Sequence, residues 1–143
     1  MCSKQANVKY DSNASAEVWE KYINEVMDGN KAKIDFLQKI LGLSLTGDTR
    51  EETCYLLYGS TTRNGKSTFV ETFAYMLGNT EGYALNMKPE SLAMKNNMDS
   101  RQASEDIARL KGCRFLNAAE PPKRKVFDAE LLKTLLGRDS ITA

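Results

Sequence analysis

The chain has 143 residues, a length that fits one domain, and its 41% hydrophobic and 27% charged content is that of a folded protein rather than a disordered one. Twenty Lys and Arg stand against nineteen Asp and Glu, so attraction to nucleic acid has to come from local patches, not from a net charge of +1. The longest purely apolar run is Cys54 to Tyr58, far below the about 20 residues that cross a bilayer as a helix, which excludes a membrane partner of that kind.

Residues 1–14 are polar and read as a tail or linker, with no apolar stretch of a signal peptide behind Met1. Ser15 is placed to cap a helix in which Trp19, Tyr22, Ile23 and Val26 recur at helical spacing, and Asp28-Gly29 supplies its stop. Asn30 opens a second helix carrying Ile34, Leu37, Ile40 and Leu41, which runs out before Gly47-Asp48. The short connection predicts an antiparallel pair over 15–50. Residues 53–58, Thr-Cys-Tyr-Leu-Leu-Tyr, are rich in β-formers without alternation, the pattern of a strand covered on both faces in a parallel α/β sheet. Gly59 to Gly65 is a polar loop, and Phe69, Phe73, Met76 and Leu77 mark the helix behind it, stopped by Gly78-Asn79.

Further along, Pro89 opens a short helical turn, and Met87, Met94 and Met98 are scattered as gap fillers. Ser104 to Leu110 reads as a helix capped by Ser104, with Ile107 and Leu110 inward and Lys111-Gly112 as the turn after it. Cys113 to Ala118 reads as a second buried strand, ended by Pro121 and Pro122. Asp128 caps a last helix whose apolar face is Leu131, Leu132, Leu135 and Leu136, closed by Gly137.

Two absences narrow the chemistry. With no histidine, Ser-His-Asp and Cys-His catalysis and His-ligated zinc are excluded within the chain. Cys2, Cys54 and Cys113 are odd in number and form no CxxC pair, so neither a thiolate metal site nor a disulfide framework is indicated; Cys54 and Cys113 read as small core hydrophobes in strands. The informative residues are Asn64-Gly65-Lys66-Ser67-Thr68, between a predicted strand and a helix. Polyphosphate needs converging donors with no side chains in the way. The amides of Ser60, Thr61, Thr62, Arg63, Asn64, Gly65, Lys66, Ser67 and Thr68 can form such a nest, reinforced by the helix N-terminus. Lys66 is then placed for the β/γ-phosphates of ATP and Ser67 for Mg²⁺. Gly59 and Gly65 enclose five residues where the common pattern has four, so either the loop is one longer or Ser60 stands in for the first glycine. Glu120, at the end of the second strand, is the candidate carboxylate for holding Mg²⁺ through water or activating the attacking water.

Together these residues resemble the helicase domain of phage and plasmid primase-helicases, in helicase superfamily three. Trp19 with Asp28-Gly29, Ile34 to Gln38 and Leu45 to Thr49 resemble its helical lead-in, and Leu57-Tyr58-Gly59 with Asn64 to Thr68 its Walker A segment. Ala108 to Arg114 leading to Glu120 is similar to the approach to Walker B, with Ala119 where many members carry a second acid. Leu132-Lys133-Thr134, Gly137, Asp139 and Ile141 to Ala143 resemble a motif that meets DNA in the ring's channel, pointing to Lys133 and Arg138.

The resemblance implies an AAA+-like P-loop NTPase core over 51–143 behind the helical pair, and a homo-hexamer that hydrolyses ATP while moving on single-stranded or forked DNA. It also implies the cytoplasm of a bacterial host and a role in DNA replication. No counterpart of the family's polar sensor strand or arginine finger is found, so the chain is expected to be an incomplete copy, with a gap in the sheet between the 53–58 strand and the Walker B strand. Two other readings remain open: a P-loop kinase, and a non-catalytic module that binds nucleotide or sibling subunits. Lys123-Arg124-Lys125 reads as a solvated basic loop or a backbone contact.

Overall fold

The computed structural model of the chain describes residues 4–94, 105–120 and 126–137. Helix α1 spans Glu17–Val26, with Glu17 and Glu20 in the first turn, where negative charge favours the helix dipole. Its N-cap is Ala16 rather than Ser15, whose hydroxyl instead meets the Glu17 N–H from one position further out, at 3.4 Å. The chain turns through two consecutive left-handed residues, Asp28 (φ 51°) and Gly29 (φ 64°). Helix α2, Lys31–Thr46, starts where the Asn30 side chain accepts the Lys33 N–H at 3.1 Å and stops at the left-handed Gly47.

Helix α3, Lys66–Leu77, is the central element. Its Phe69, Phe73, Ala74 and Leu77 are buried together with Ile23 of α1, Leu37 and Leu41 of α2, and Ala84 beyond the helix. Trp19 stacks on Phe69 with ring centroids 5.8 Å apart, while Phe73 meets Phe115 edge-on at 5.0 Å. One stripe of the helix thus meets the helical pair through Phe69 and, a turn further on, a small sheet through Phe73. That sheet joins β1, Ala84–Met87, to β2, Phe115–Ala118, in parallel, with Ala84 opposite Phe115 and Met87 opposite Ala118. Between the strands, Pro89–Leu92 forms a 3₁₀ turn, and 105–108 makes a helical turn whose Asp106 accepts the Ser91 hydroxyl. Helix α4, Ala129–Leu136, is capped by Asp128, whose carboxylate accepts the N–H groups of Glu130 and Leu131, each at 3.0 Å.

Several expectations are corrected. Residues 53–58 are in no strand, and Tyr55, Leu56 and Tyr58 are exposed, Leu56 by 84%. Cys54 is exposed rather than a core residue. A strand exists only where another backbone takes up its N–H and C=O groups, and among the described residues none pairs with this run; its β-forming composition cannot supply the partner. The second strand begins at Phe115, not Cys113, and is half-buried, with Leu116 facing out. Met87 is buried in β1, a strand the sequence patterning had not indicated, whereas Met94 is exposed. The four leucines of α4 are half-buried. Residues 4–7 are tied down: Lys4 Nζ donates to Gly82 O at 3.0 Å, the Tyr83 hydroxyl to Lys4 O at 3.0 Å, and the Asn7 N–H to Met76 O at 3.1 Å. Met98, Ser104, Pro121, Pro122, Lys123 to Lys125, Arg138, Asp139 and Ile141 to Ala143 lie outside the described residues.

Candidate functional site

The contacts of α3 set what comes together. At its C-terminus the Leu77 carbonyl accepts the Tyr83 N–H at 2.9 Å and the Gly78 carbonyl accepts the Ala84 N–H at 3.1 Å, so that end of the helix meets the N-terminal end of β1. One turn back, Phe73 lies against Phe115, the first residue of β2. Both contacts of the helix's second half thus fall at the starting ends of the strands. Glu120 follows two residues after Ala118, on the side where the strands end. The C-terminal edge of a parallel sheet is where ligands of α/β proteins bind.

The loop before α3 is built from backbone with free donors. Among the described residues, the N–H groups of residues 60–68 donate to no protein acceptor; the first bond of the helix is Phe69 N–H to Gly65 O at 3.0 Å. An ordinary helix leaves only its first four amides in that state. Two positions hold the loop in its turn: Arg63 (φ 60°) and Gly65 (φ 81°) are both left-handed, with one residue between them. Alternation of left- and right-handed residues is the backbone pattern that aims successive N–H groups to one side. For Arg63 this conformation costs about 1–2 kcal/mol, which the loop's closure has to offset.

The side chains around the loop converge. Lys66 Nζ donates to Asn64 Oδ1 at 2.5 Å, and Asn64 Nδ2 donates to Thr61 O at 3.1 Å. Gly59 serves by its lack of a side chain: a Cβ there would run into the Asn64 carboxamide and lie 3.3 Å from Lys66 Nζ. From the other direction, the Tyr22 hydroxyl of α1 donates to Gly65 O at 2.6 Å, and a Cβ on Gly65 would lie 2.7 Å from Val26 Cγ1. Burial pushes the Tyr22 phenol above the usual tyrosine value, against a smaller opposite effect of a backbone hydrogen bond from Phe69. Beside the loop, Tyr22, Val26, Leu37, Leu57, Tyr58 and Phe69 wall a mostly apolar cleft of about 110 Å³ that opens onto Lys66.

The predicted residues divide as follows. Ser60, Thr61, Thr62, Arg63, Ser67 and Thr68 are exposed around the loop, and Asn64, Gly65 and Lys66 are half-buried. Glu120 is exposed and makes no hydrogen bond or ion pair among the described residues. Lys133 is exposed in the last turn of α4, and its carbonyl accepts the Gly137 N–H at 2.7 Å; Arg138 lies outside the described residues. No group of three or more Cys, Asp or Glu able to hold a metal occurs among the described residues. Tyr22 and Val26 are the site residues that sequence reasoning missed. Their helical spacing marked them as core, and nothing in a linear pattern says that this face of α1 also touches Gly65.

No helix among the described residues is long and apolar enough to cross a membrane. No protein-family model matches the chain, and no solved structure does. Over 116 residues, 80% of its length, the chain is 30% identical to a protein of Acanthamoeba polyphaga mimivirus named "Putative helicase L207/L206". The match takes in 11% of that viral protein, so the chain spans about a ninth of the curated relative's length. What the comparison carries is a relationship to a protein named as a helicase.

Proposed function

We propose that the chain is an ATP-binding segment of a DNA helicase of the superfamily-three, phage and plasmid primase-helicase type, with an AAA+-like P-loop NTPase core. One observation carries the reading: the unpaired amides of residues 60–68 lead into the N-terminus of α3 with Lys66 at their centre. The relationship to a helicase-named protein supports the choice among phosphate-binding activities. Hydrogen bonds to a charged partner contribute about 1.5–3 kcal/mol each, so three or four suffice for a micromolar affinity of about −8 kcal/mol.

In this reading the loop amides hold the phosphate chain and Lys66 neutralises its β/γ end. The apolar cleft beside Tyr22 and Tyr58 offers a wall for the base. Mg²⁺ keeps most of its water ligands in nucleotide sites, so one exposed hydroxyl suits it, and Ser67 in the first turn of α3 fits that role without an acidic cage. Its charge would neutralise the phosphate oxygens. Glu120 polarises the attacking water from the sheet's C-terminal side. Lys133 and Arg138 are the DNA-contacting candidates, and a homo-hexamer in a bacterial host cell, acting in DNA replication, is the assembly and setting that go with them.

Calorimetry with Mg-ATP should show saturable binding to the wild-type chain and none to Lys66→Ala. In the full-length protein, Glu120→Gln should keep binding and lose turnover; equal turnover in both would remove Glu120 from the mechanism. A second reading, binding without hydrolysis, draws on Glu120 being a lone acid with no contact to Lys66 or Ser67. Phosphate release stimulated by single-stranded DNA belongs to the helicase reading only; a P-loop kinase would show no such stimulation.

A further inference from the structure

We propose that Asn64 is a built-in competitor of the phosphate ligand: its carboxamide occupies the inside of the loop, engages Lys66, and has to swing out before a polyphosphate can enter. The inference rests on the phosphate-binding reading of this loop and adds a residue that controls access to it.

The geometry argues for competition rather than support. Asn64 bridges the loop from one side to the other, donating to Thr61 O at 3.1 Å and accepting from Lys66 Nζ at 2.5 Å. Its amide group also lies in the space that a side chain on Gly59 would take, so it fills the interior between Gly59 and Lys66. The exposure pattern agrees: Ser60 to Arg63 face solvent while Asn64 is half-buried. An ammonium has three donors, so Lys66 could in principle serve both partners. Space decides against that. The carboxamide takes the place that a Cβ on Gly59 would take, beside Lys66 Nζ, so a phosphate that comes to Lys66 from the Gly59 side has to displace it. Asn64 Oδ1 supplies Lys66 with the oxygen that the ligand would otherwise provide.

A protein whose binding-competent form is only a fraction of the population shows an affinity reduced by that fraction. Removing the competitor should therefore tighten binding, where removing a supporting residue would weaken it. In the full chain, Asn64→Ala should lower the apparent Kd for Mg-ATP by about tenfold to a hundredfold, of the size expected for one hydrogen bond to a charged group. Stopped-flow with a fluorescent ATP analogue should find the gain in the association rate, with dissociation unchanged. Asn64→Asp should act in the opposite direction, because a carboxylate holds Lys66 more firmly and repels phosphate. A melting curve confirms that each variant is folded.

If the wild type binds and Asn64→Ala binds equally or more weakly, Asn64 shapes or supports the loop and the proposal is overturned while the phosphate-binding reading stands. If neither the wild type nor Asn64→Ala binds Mg-ATP, that reading fails and takes the proposal with it.

Discussion

At the scale of single residues, the contact between Tyr22 and Gly65 links the helical pair to the loop. Gly65 is required twice: its φ of 81° favours glycine, and any Cβ would meet Val26 at 2.7 Å and the Tyr22 hydroxyl at 3.0 Å. The Tyr22 hydrogen bond to Gly65 O adds to the Phe69 N–H bond on the same carbonyl, so Tyr22→Phe leaves that oxygen with a partner. The expected cost is about 0.5–1.5 kcal/mol, read as a lower urea midpoint at unchanged slope, with weaker Mg-ATP binding because the loop loses its hold on α1. The sign of the pH dependence follows from the raised Tyr22 pKa. The stability it contributes is fully present below the usual tyrosine value and is lost as pH rises toward the folded-state value, so the contact is intact at neutral pH.

Among the elements, the run 53–58 is the informative one. Tyr55 meets Phe36 with centroids 6.0 Å apart and Leu57 packs partly against the core, so the run touches the body through side chains while, among the described residues, its backbone pairs with no strand. Cys54 and Cys113 report on this. Cys54 should be labelled quickly by a thiol reagent in the native protein, and mass mapping should find Cys113 slow. Cys113 sits just before β2, where burial pushes its thiol above the usual range, so its labelling should accelerate only in alkaline solution. Protection of Cys54 to the level of Cys113 would mean that the run is covered in solution.

For the molecule as a whole, α3 is shared by both layers, which makes it the element through which they unfold together. Trp19 of the helical pair stacks on Phe69, and one turn along the same face Phe73 packs on Phe115 of the sheet. Phe73→Ala should cost about 3–5 kcal/mol. Although the substitution lies on the sheet side, the fluorescence of Trp19, the single tryptophan, should lose its transition at the same denaturant concentration as the far-ultraviolet signal. Separate transitions would show that the sheet and the helical pair are independent units.

The helices were legible in the residues because their causes are local. Asn30 and Asp128 cap, Gly47 and Gly78 stop, and the spacing of Ile23, Leu37, Leu41, Phe69, Phe73 and Leu77 sets which faces are buried, all within a turn or two of chain. The free donors before Lys66 could be expected for the same reason. What the linear pattern could not decide depends on residues far apart in the chain. Whether Thr53 to Tyr58 becomes a strand depends on a neighbour, and the parallel pairing that does form joins Ala84 to Phe115, more than two dozen residues apart. The placing of Tyr22 on Gly65, and of the Asn64 carboxamide over Gly59, came only from packing, because no local rule brings those atoms within reach of one another.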